Sequence, residues 1–175
     1  MTLDELVKRD SSFNSSTFIS KVNNMVKKLY NATTLNELDT VDHFASDKVL
    51  NSFQNEISIA NNNNERVIFD QVNVNSEVKD VSEYDNNYMI RCLVTVQYFK
   101  YYIDNNGKFT HGNQDIKSKV IRTAILKKPV GSSLGMVNRC LGCGTTLNVN
   151  DNGKCPSCGR IFDLEEFDFY IEDLV

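Results

Sequence analysis

Four of the five cysteines in this 175-residue chain fall between Asn138 and Tyr170, as CLGC at Cys140 and Cys143 and CPSC at Cys155 and Cys158. Eleven residues separate the two pairs. Thiolates two residues apart can bend around one ion, and four of them suit a tetrahedral zinc with Zn–S distances of about 2.3 Å. Gly144 and Gly159 each follow a second cysteine, where a bulky side chain would crowd the turn and backbone N–H groups can donate to sulfur. Four sulfurs leave no position for water, so the zinc expected on Cys140, Cys143, Cys155 and Cys158 is structural rather than catalytic. Rubredoxin-like iron is the competing metal. A redox CxxC would call for one pair at a helix start, not two matched pairs. Between the pairs, TTLNVNDNGK reads as a short strand and a hairpin turn at Asn152-Gly153. Leu147, Val149, Ile161 and Phe162 are too few for a free-standing core, so metal binding would add folding energy on the order of 10 kcal/mol.

The rest of the chain must position this segment. Its length and 41% apolar content allow one domain with a real core plus a small appendage. Periodicity divides it into helices followed by strands. Phe18, Val22, Met25, Val26 and Leu29 recur at helical spacing, with Lys21, Lys27 and Lys28 on the opposite face. Such a helix covers a core more often than it lies on a membrane. Thr34 and Glu37 read as a capping box before a short helix through Leu35 and Leu38. Ser46 or Asp47 caps a third, which buries Val49, Leu50, Phe53 and Ile57 and stops at the asparagine run Asn61–Asn64.

After Glu65 the period falls to two. Ile68, Val72, Val74 and Val78 mark one half-buried strand. Ile90, Cys92, Val94, Val96 and Tyr98 mark a second, against Arg91, Thr95 and Gln97 on its other face. IDNNGKF is a turn, and Ile116, Val120, Ala124 and Leu126 mark a third strand that Pro129 ends. Phe167, Phe169 and Ile171 alternate with Asp168, Tyr170 and Glu172 as a fourth. A last strand needs a sheet to join, so the cysteine segment is expected as an insertion before the closing strand. The expected divisions are residues 1–14 as a linker or short helix, 15–137 as an α+β domain, 138–163 as a zinc ribbon and 164–175 as the closing strand. Helices first and a long antiparallel sheet afterwards give an α+β fold with the helices on one sheet face.

Charge and the remaining reactive groups narrow the functional classes. Net charge is −4 and the pI is near 5.2, and a zinc on four thiolates would add a further −2. Arg139, Lys154 and Arg160 are followed at once by Asp163, Glu165, Glu166, Asp168, Glu172 and Asp173, which a phosphate backbone would meet as like charge. No run of about 20 apolar residues is present to cross a bilayer, and no basic n-region followed by an apolar stretch marks the start, so secretion is not expected. His43 beside Asp42, and His111 in FTHGN, form no nucleophile–base–orienter set. Cys92 reads as inert packing. Tyr88, Tyr98, Tyr101 and Tyr102 either line a pocket or close a curved sheet.

DSSFNSSTFISKVNNMVKKLYNATTLNELDTV, with Asp10, Phe13 and Phe18 leading, resembles the opening of a bacterial Tim44-like domain. CLGCGTTLNVNDNGKCPSCG followed by EFDFYIEDL resembles the zinc ribbon and closing strand of many bacterial members. The likeness spans Asp10 to Leu174. It implies a cone-like α+β fold related to nuclear transport factor 2 and cystatin-like domains, and places Cys140, Cys143, Cys155 and Cys158 in the zinc-ligand role. It carries over no other functional residue. Mitochondrial members scaffold the import motor on the inner membrane, and bacterial members often join this domain to an N-terminal membrane segment. The implied function is a non-catalytic, membrane-associated binding module for a protein, a peptide or lipid headgroups. Its expected location is the cytoplasm, or the inner face of the membrane through a segment absent from this chain. Two alternatives stand beside it: an isomerase or hydrolase that uses the cone pocket, and nucleic-acid binding through the ribbon.

Overall fold

The computed structural model describes residues 1–10, 13–130, 137–139, 143, 146–148, 155, 157–159 and 170–175. The α-helices are α1 (Leu3–Arg9), α2 (Ser15–Leu35) and α3 (Asp47–Asn62). The main strands are β1 (Glu65–Tyr84), β2 (Asn87–Asp104), β3 (Phe109–Gly112) and β4 (Ser118–Pro129). Short strands β5 (Val137–Arg139) and β6 (Thr146–Asn148) pair with each other, and β7 (Tyr170–Leu174) returns to the main sheet. That sheet is antiparallel, in the order β1-β2-β4-β7, with β3 added beside β2. The helices pack on one face of the curved sheet, which makes the α+β fold expected from the sequence.

Strand β2 organises the core. Every even residue from Tyr88 to Tyr98 is buried, and its register with β4 runs unbroken from Asn87↔Pro129 to Tyr98↔Ser118. Strand β1 behaves differently. Its register with β2 shifts between Asp70 and Asn73 and again between Val78 and Asp80. Each shift inserts one residue and reverses which side chains face inward. Val67 and Phe69 are therefore buried before the first bulge, Val72 and Val74 after it, and Val81 after the second. The sequence expectation of one face through Ile68, Val72, Val74 and Val78 holds only between the bulges. Gln71 takes a left-handed backbone at the first of them, with φ of 53°.

Phe18, Val22, Val26 and Leu29 of α2 lie on this inner face, all essentially inaccessible. Lys21, expected on the polar face, is 7% exposed because the position three after Phe18 falls at the edge of the apolar stripe. Lys27 and Lys28 are exposed as expected, and Met25 is only partly buried. No capping box forms at Thr34 and Glu37. Helix α2 runs through Thr34 to a left-handed Asn36, and the Thr34 hydroxyl accepts a 2.8 Å bond from the Phe69 N–H of β1. A single 3-10 turn, Leu38–Thr40, replaces the expected helix and has no side-chain cap.

Helix α1 is a docked element. Thr2 and Glu5 form a capping box, Leu6 is fully buried, and the Val81 N–H donates to the Met1 carbonyl. Asp10, just beyond α1, accepts a 2.9 Å bond from Nζ of Lys128, a β4 lysine with no exposed surface that also stands 5.6 Å from the Tyr88 ring centre. Ile116, expected to share a face with Val120, Ala124 and Leu126, precedes β4 and is 69% exposed, whereas Ala124 and Leu126 are fully buried. The strand β3 was not foreseen. Its turn from β2 is built by Asp104, which accepts from the Asn106 and Lys108 N–H groups, and by Gly107 at φ of 79°.

Strand β7 lies next to β4, with Lys127↔Tyr170 and Ala124↔Leu174 as its outer pairs. Phe167 and Phe169, expected in the same strand, lie outside the described residues. The other edge of β7 is held by the segment before α3: the Ile171 N–H donates to the Phe44 carbonyl, and the Ser46 N–H to the Ile171 carbonyl. Ser46 then does two jobs. Its hydroxyl accepts from the Val49 N–H to cap α3 and donates to the Glu172 carbonyl of β7 at 2.8 Å. Ser46→Ala should lower stability by about 1–2 kcal/mol, read as a shifted urea midpoint with an unchanged slope.

Candidate metal centre and the inner-face cleft

Cys143 belongs to the connection between β5 and β6, two strands in which Asn138 pairs with Leu147. Cys143 sits in a turn there. Cys155 and Cys158 form a second turn, in which the Gly159 N–H donates to the Cys155 carbonyl at 2.9 Å. Gly159 adopts φ of 74°, the left-handed conformation that glycine takes most readily. The Sγ atoms of Cys143, Cys155 and Cys158 all lie within 4.8 Å of one another, and Cys143 and Cys155 are 3.6 Å apart. Sulfurs around one tetrahedral ion at about 2.3 Å stand about 3.8 Å from each other, so this spacing suits a shared ion. Cys155 is buried, while Cys143 and Cys158 are exposed. These three thiols could hold a metal ion. Cys140, Gly144 and the Asn152-Gly153 turn lie outside the described residues.

A second feature lies on the inner face of the sheet. Tyr30 of α2, Ser52, Phe53 and Glu56 of α3, Phe69 of β1, Tyr98 of β2, and Val120 and Arg122 of β4 line a cleft of about 350 Å3. Its aromatic wall is built edge to face. The Tyr30 ring centre is 5.1 Å from Phe53 and 5.0 Å from Phe69, and Phe69 is 5.0 Å from Tyr98. Arg122 points into this wall. Its Nη1 donates to the Tyr30 hydroxyl at 3.1 Å and its Nη2 to the Leu174 carbonyl at 2.9 Å, and its guanidinium stands 5.5 Å from the Phe53 ring centre. Glu56 is paired with Lys100 at 3.0 Å. Burial, with Tyr30 and Glu56 adding to it against the pull of Arg122, pushes the Tyr98 hydroxyl up to about 12.

The sequence singled out four tyrosines as one cluster, and the structure separates them. Tyr98 belongs to the cleft, Tyr88 lies against Lys128 at the far end of β2, and Tyr102 stacks on His111 with ring centres 4.3 Å apart. Tyr101 packs against Phe109. His111 is on β3 rather than in a loop, and its Nδ1 is 3.1 Å from a Glu65 oxygen that the Thr110 hydroxyl also contacts. Its side chain is 59% exposed and lines neither this cleft nor the smaller one between the C-terminal ends of α2 and α3. His43 lies before α3 with its ring against Phe44. Cys92 is fully buried, and burial, aided by the Asp80 charge, pushes its thiol up to about 12. Sequence reasoning missed Arg122 and Glu56. Their alternation with Val120 and Ala124, and their spacing from Phe53, were the available signals.

A helical layer over an open, curved antiparallel sheet, with a cysteine-bearing excursion before the last strand, defines an α+β domain of the cone-like class. The Tim44-like domain family matches residues 1–136, and the chain belongs to that family. The match begins ahead of Asp10, so it takes in α1, and it ends before the first of the clustered cysteines. No curated protein matches the chain. No helix among the described residues is long and apolar enough to cross a membrane.

The raised Cys92 and Tyr98 groups keep protons in the folded state that the unfolded chain releases from about pH 9 and 10 upward. Folded protein then binds more protons than unfolded, so stability should fall as pH rises through this window toward 12. Urea midpoints at pH 8 and 10.5 check it, and Tyr98→Phe should reduce the drop. At pH 8, iodoacetamide should leave Cys92 unmodified in native protein and label it in urea.

Proposed function

We propose that this chain is a non-catalytic binding module that works at a membrane surface, with a ribbon held together by a structural zinc. The observation that carries the first part is the Tim44-like match over residues 1–136, a family of membrane-associated domains that bind other proteins. The inner-face cleft supports it: an aromatic wall with an oriented arginine suits recognition. The isomerase or hydrolase reading needs a histidine and a carboxylate together inside a cavity. His111 does meet Glu65, which lines the smaller cleft, but the imidazole itself lines neither cleft and is 59% exposed on β3. The partner is a protein or peptide. Lipid contact through exposed Lys27 and Lys28 of α2 is peripheral, and an acidic chain disfavours nucleic acid.

Cys143, Cys155 and Cys158 are the ligands whose spacing supports the zinc reading, with Cys140 as the fourth. The all-thiolate set favours zinc over harder ions and would close the ion to water. The Cys residues would hold the two turns together, and β7 follows directly in the chain. Purified protein should contain one zinc per chain by elemental analysis. Cys155→Ala should lose it and lose amide signals of residues 137–159, while β1 and β2 signals persist. Retention of the full amide spectrum by a metal-free Cys155→Ala protein would sink the zinc role.

The binding role is tested separately. Cross-linking in native membranes followed by capture should recover a defined partner whose contacts map to the inner-face cleft. Contacts confined to the opposite sheet face, or a turnover activity that resides in the cleft, would overturn this reading.

A further inference from the structure

The inner-face cleft contains an imbalance of charge. Among the described residues Arg122 and Glu56 are the charged groups that line it, and Lys100 is the partner of Glu56. Lys100 and Glu56 neutralise each other at 3.0 Å, and Lys100 also stands 5.3 Å from the Phe69 ring centre. Arg122 is held only by neutral acceptors, the Tyr30 hydroxyl and the Leu174 carbonyl. Among the described residues no carboxylate pairs with it. It nevertheless lies on the inward face of β4, between Val120 and the fully buried Ala124. Arg122 is partly exposed there, and an arginine so placed gives up part of its hydration without a carboxylate to compensate it. Two of its N–H groups are used and its plane rests near Phe53, so the guanidinium is fixed in direction before any ligand arrives. A fixed fork beside apolar walls is the arrangement that recognises a planar anion, because two parallel N–H groups match the two oxygens of a carboxylate.

We infer that this cleft binds a carboxylate carried on an apolar body, with Arg122 taking the carboxylate and Tyr30, Phe53, Phe69 and Tyr98 enclosing the apolar part. The inference rests on the binding-module reading and specifies the chemistry of its partner. The volume of about 350 Å3 sits at the lower end of ligand cavities, enough for one aromatic or branched side chain with its carboxylate. The Tyr98 hydroxyl, pushed up to about 12, stays protonated and adds a donor at the cleft wall. With Glu56 paired to Lys100, Arg122 is the one uncompensated charge of the cleft among the described residues, so the ligand carries a single negative charge. Two sources share this chemistry: a free small acid and the carboxyl terminus of a peptide.

The test uses the full 175-residue chain, labelled with 15N and titrated with four probes: phenylacetate, phenylacetamide, Ala-Ala-Phe with a free carboxyl terminus, and Ala-Ala-Phe-amide. The acids should shift amide signals of Tyr30, Phe53, Tyr98 and Val120, and each amide should bind about tenfold or more weakly, the loss expected for a charge-assisted hydrogen bond. Binding of the tripeptide alone assigns the peptide source, and binding of phenylacetate alone the free acid. Arg122→Gln should weaken the acids by a similar factor. That variant also gives up a bond to β7, so Glu56→Gln serves as the second arm. Removing the one carboxylate in the cleft should tighten acid binding severalfold, an effect that a folding defect does not imitate. Equal binding of acid and amide, or tightening absent in Glu56→Gln, overturns the carboxylate inference. If a cross-linked partner still contacts the cleft in that case, the binding-module reading survives it.

Discussion

The shape of this domain depends on two extra residues in β1. A strand of twenty residues that kept strict alternation would lie nearly straight and would bury only one parity of side chains. The bulges near Gln71 and Lys79 bend it and increase its twist, and each reverses the inward parity. The inward residues become Val67 and Phe69, then Val72 and Val74, then Val81, so the helix layer meets an apolar surface along the whole curve. The bulges also disrupt the free edge of β1, which no strand covers on its outer side among the described residues. The aromatic cleft lies on the inner face of this curve, with α3 and β4 among its walls.

The other edge of the sheet is closed by a different device. Strand β7 is only five residues long, yet it is bonded on both sides, to β4 and to residues 44–46. Its Leu174 carbonyl accepts from Arg122, and its Glu172 carbonyl accepts from Ser46. The carboxyl-terminal strand therefore touches the cap of α3 and the arginine of the cleft at once. Ile171 is fully buried and Leu174 nearly so, which anchors a strand too short to hold its place by ladder bonds alone. Lys48 adds an exposed ion pair to Asp173, a contact of the kind worth little by itself.

Much of this was legible from residue order. Period-two alternation located β2 and its inner face through Ile90, Cys92, Val94, Val96 and Tyr98, because that strand has no bulge against β4. The apolar stripe of α2 was equally plain, and the cap of α3 was narrowed to Ser46 or Asp47. What the order concealed has physical causes. A bulge adds a residue without any compositional mark, so the alternation of β1 was followed straight through its reversals. Thr34 and Glu37 satisfy a local capping rule, but the Phe69 amide, distant in sequence, takes the Thr34 hydroxyl. Lys21 belongs to the polar face by type, yet its long stem lets the chain bury it. The thiols of Cys143, Cys155 and Cys158 were foreseen as one group by spacing alone. The cleft was not, since its lining comes from five elements and only packing brings them together.

Strands β4 and β7 are neighbours and antiparallel, so Lys127 stands opposite Tyr170. The chain thus departs and comes back at positions one strand spacing apart. In topological terms residues 130–169 are the connection of a hairpin, grown long. The entropy of closing such a connection rises only with the logarithm of its length, so lengthening it is inexpensive once both ends are fixed. The sheet provides a doorway whose width does not depend on what passes through it. A cysteine-bearing excursion can be gained, lost or exchanged there while the strands on either side keep their partners.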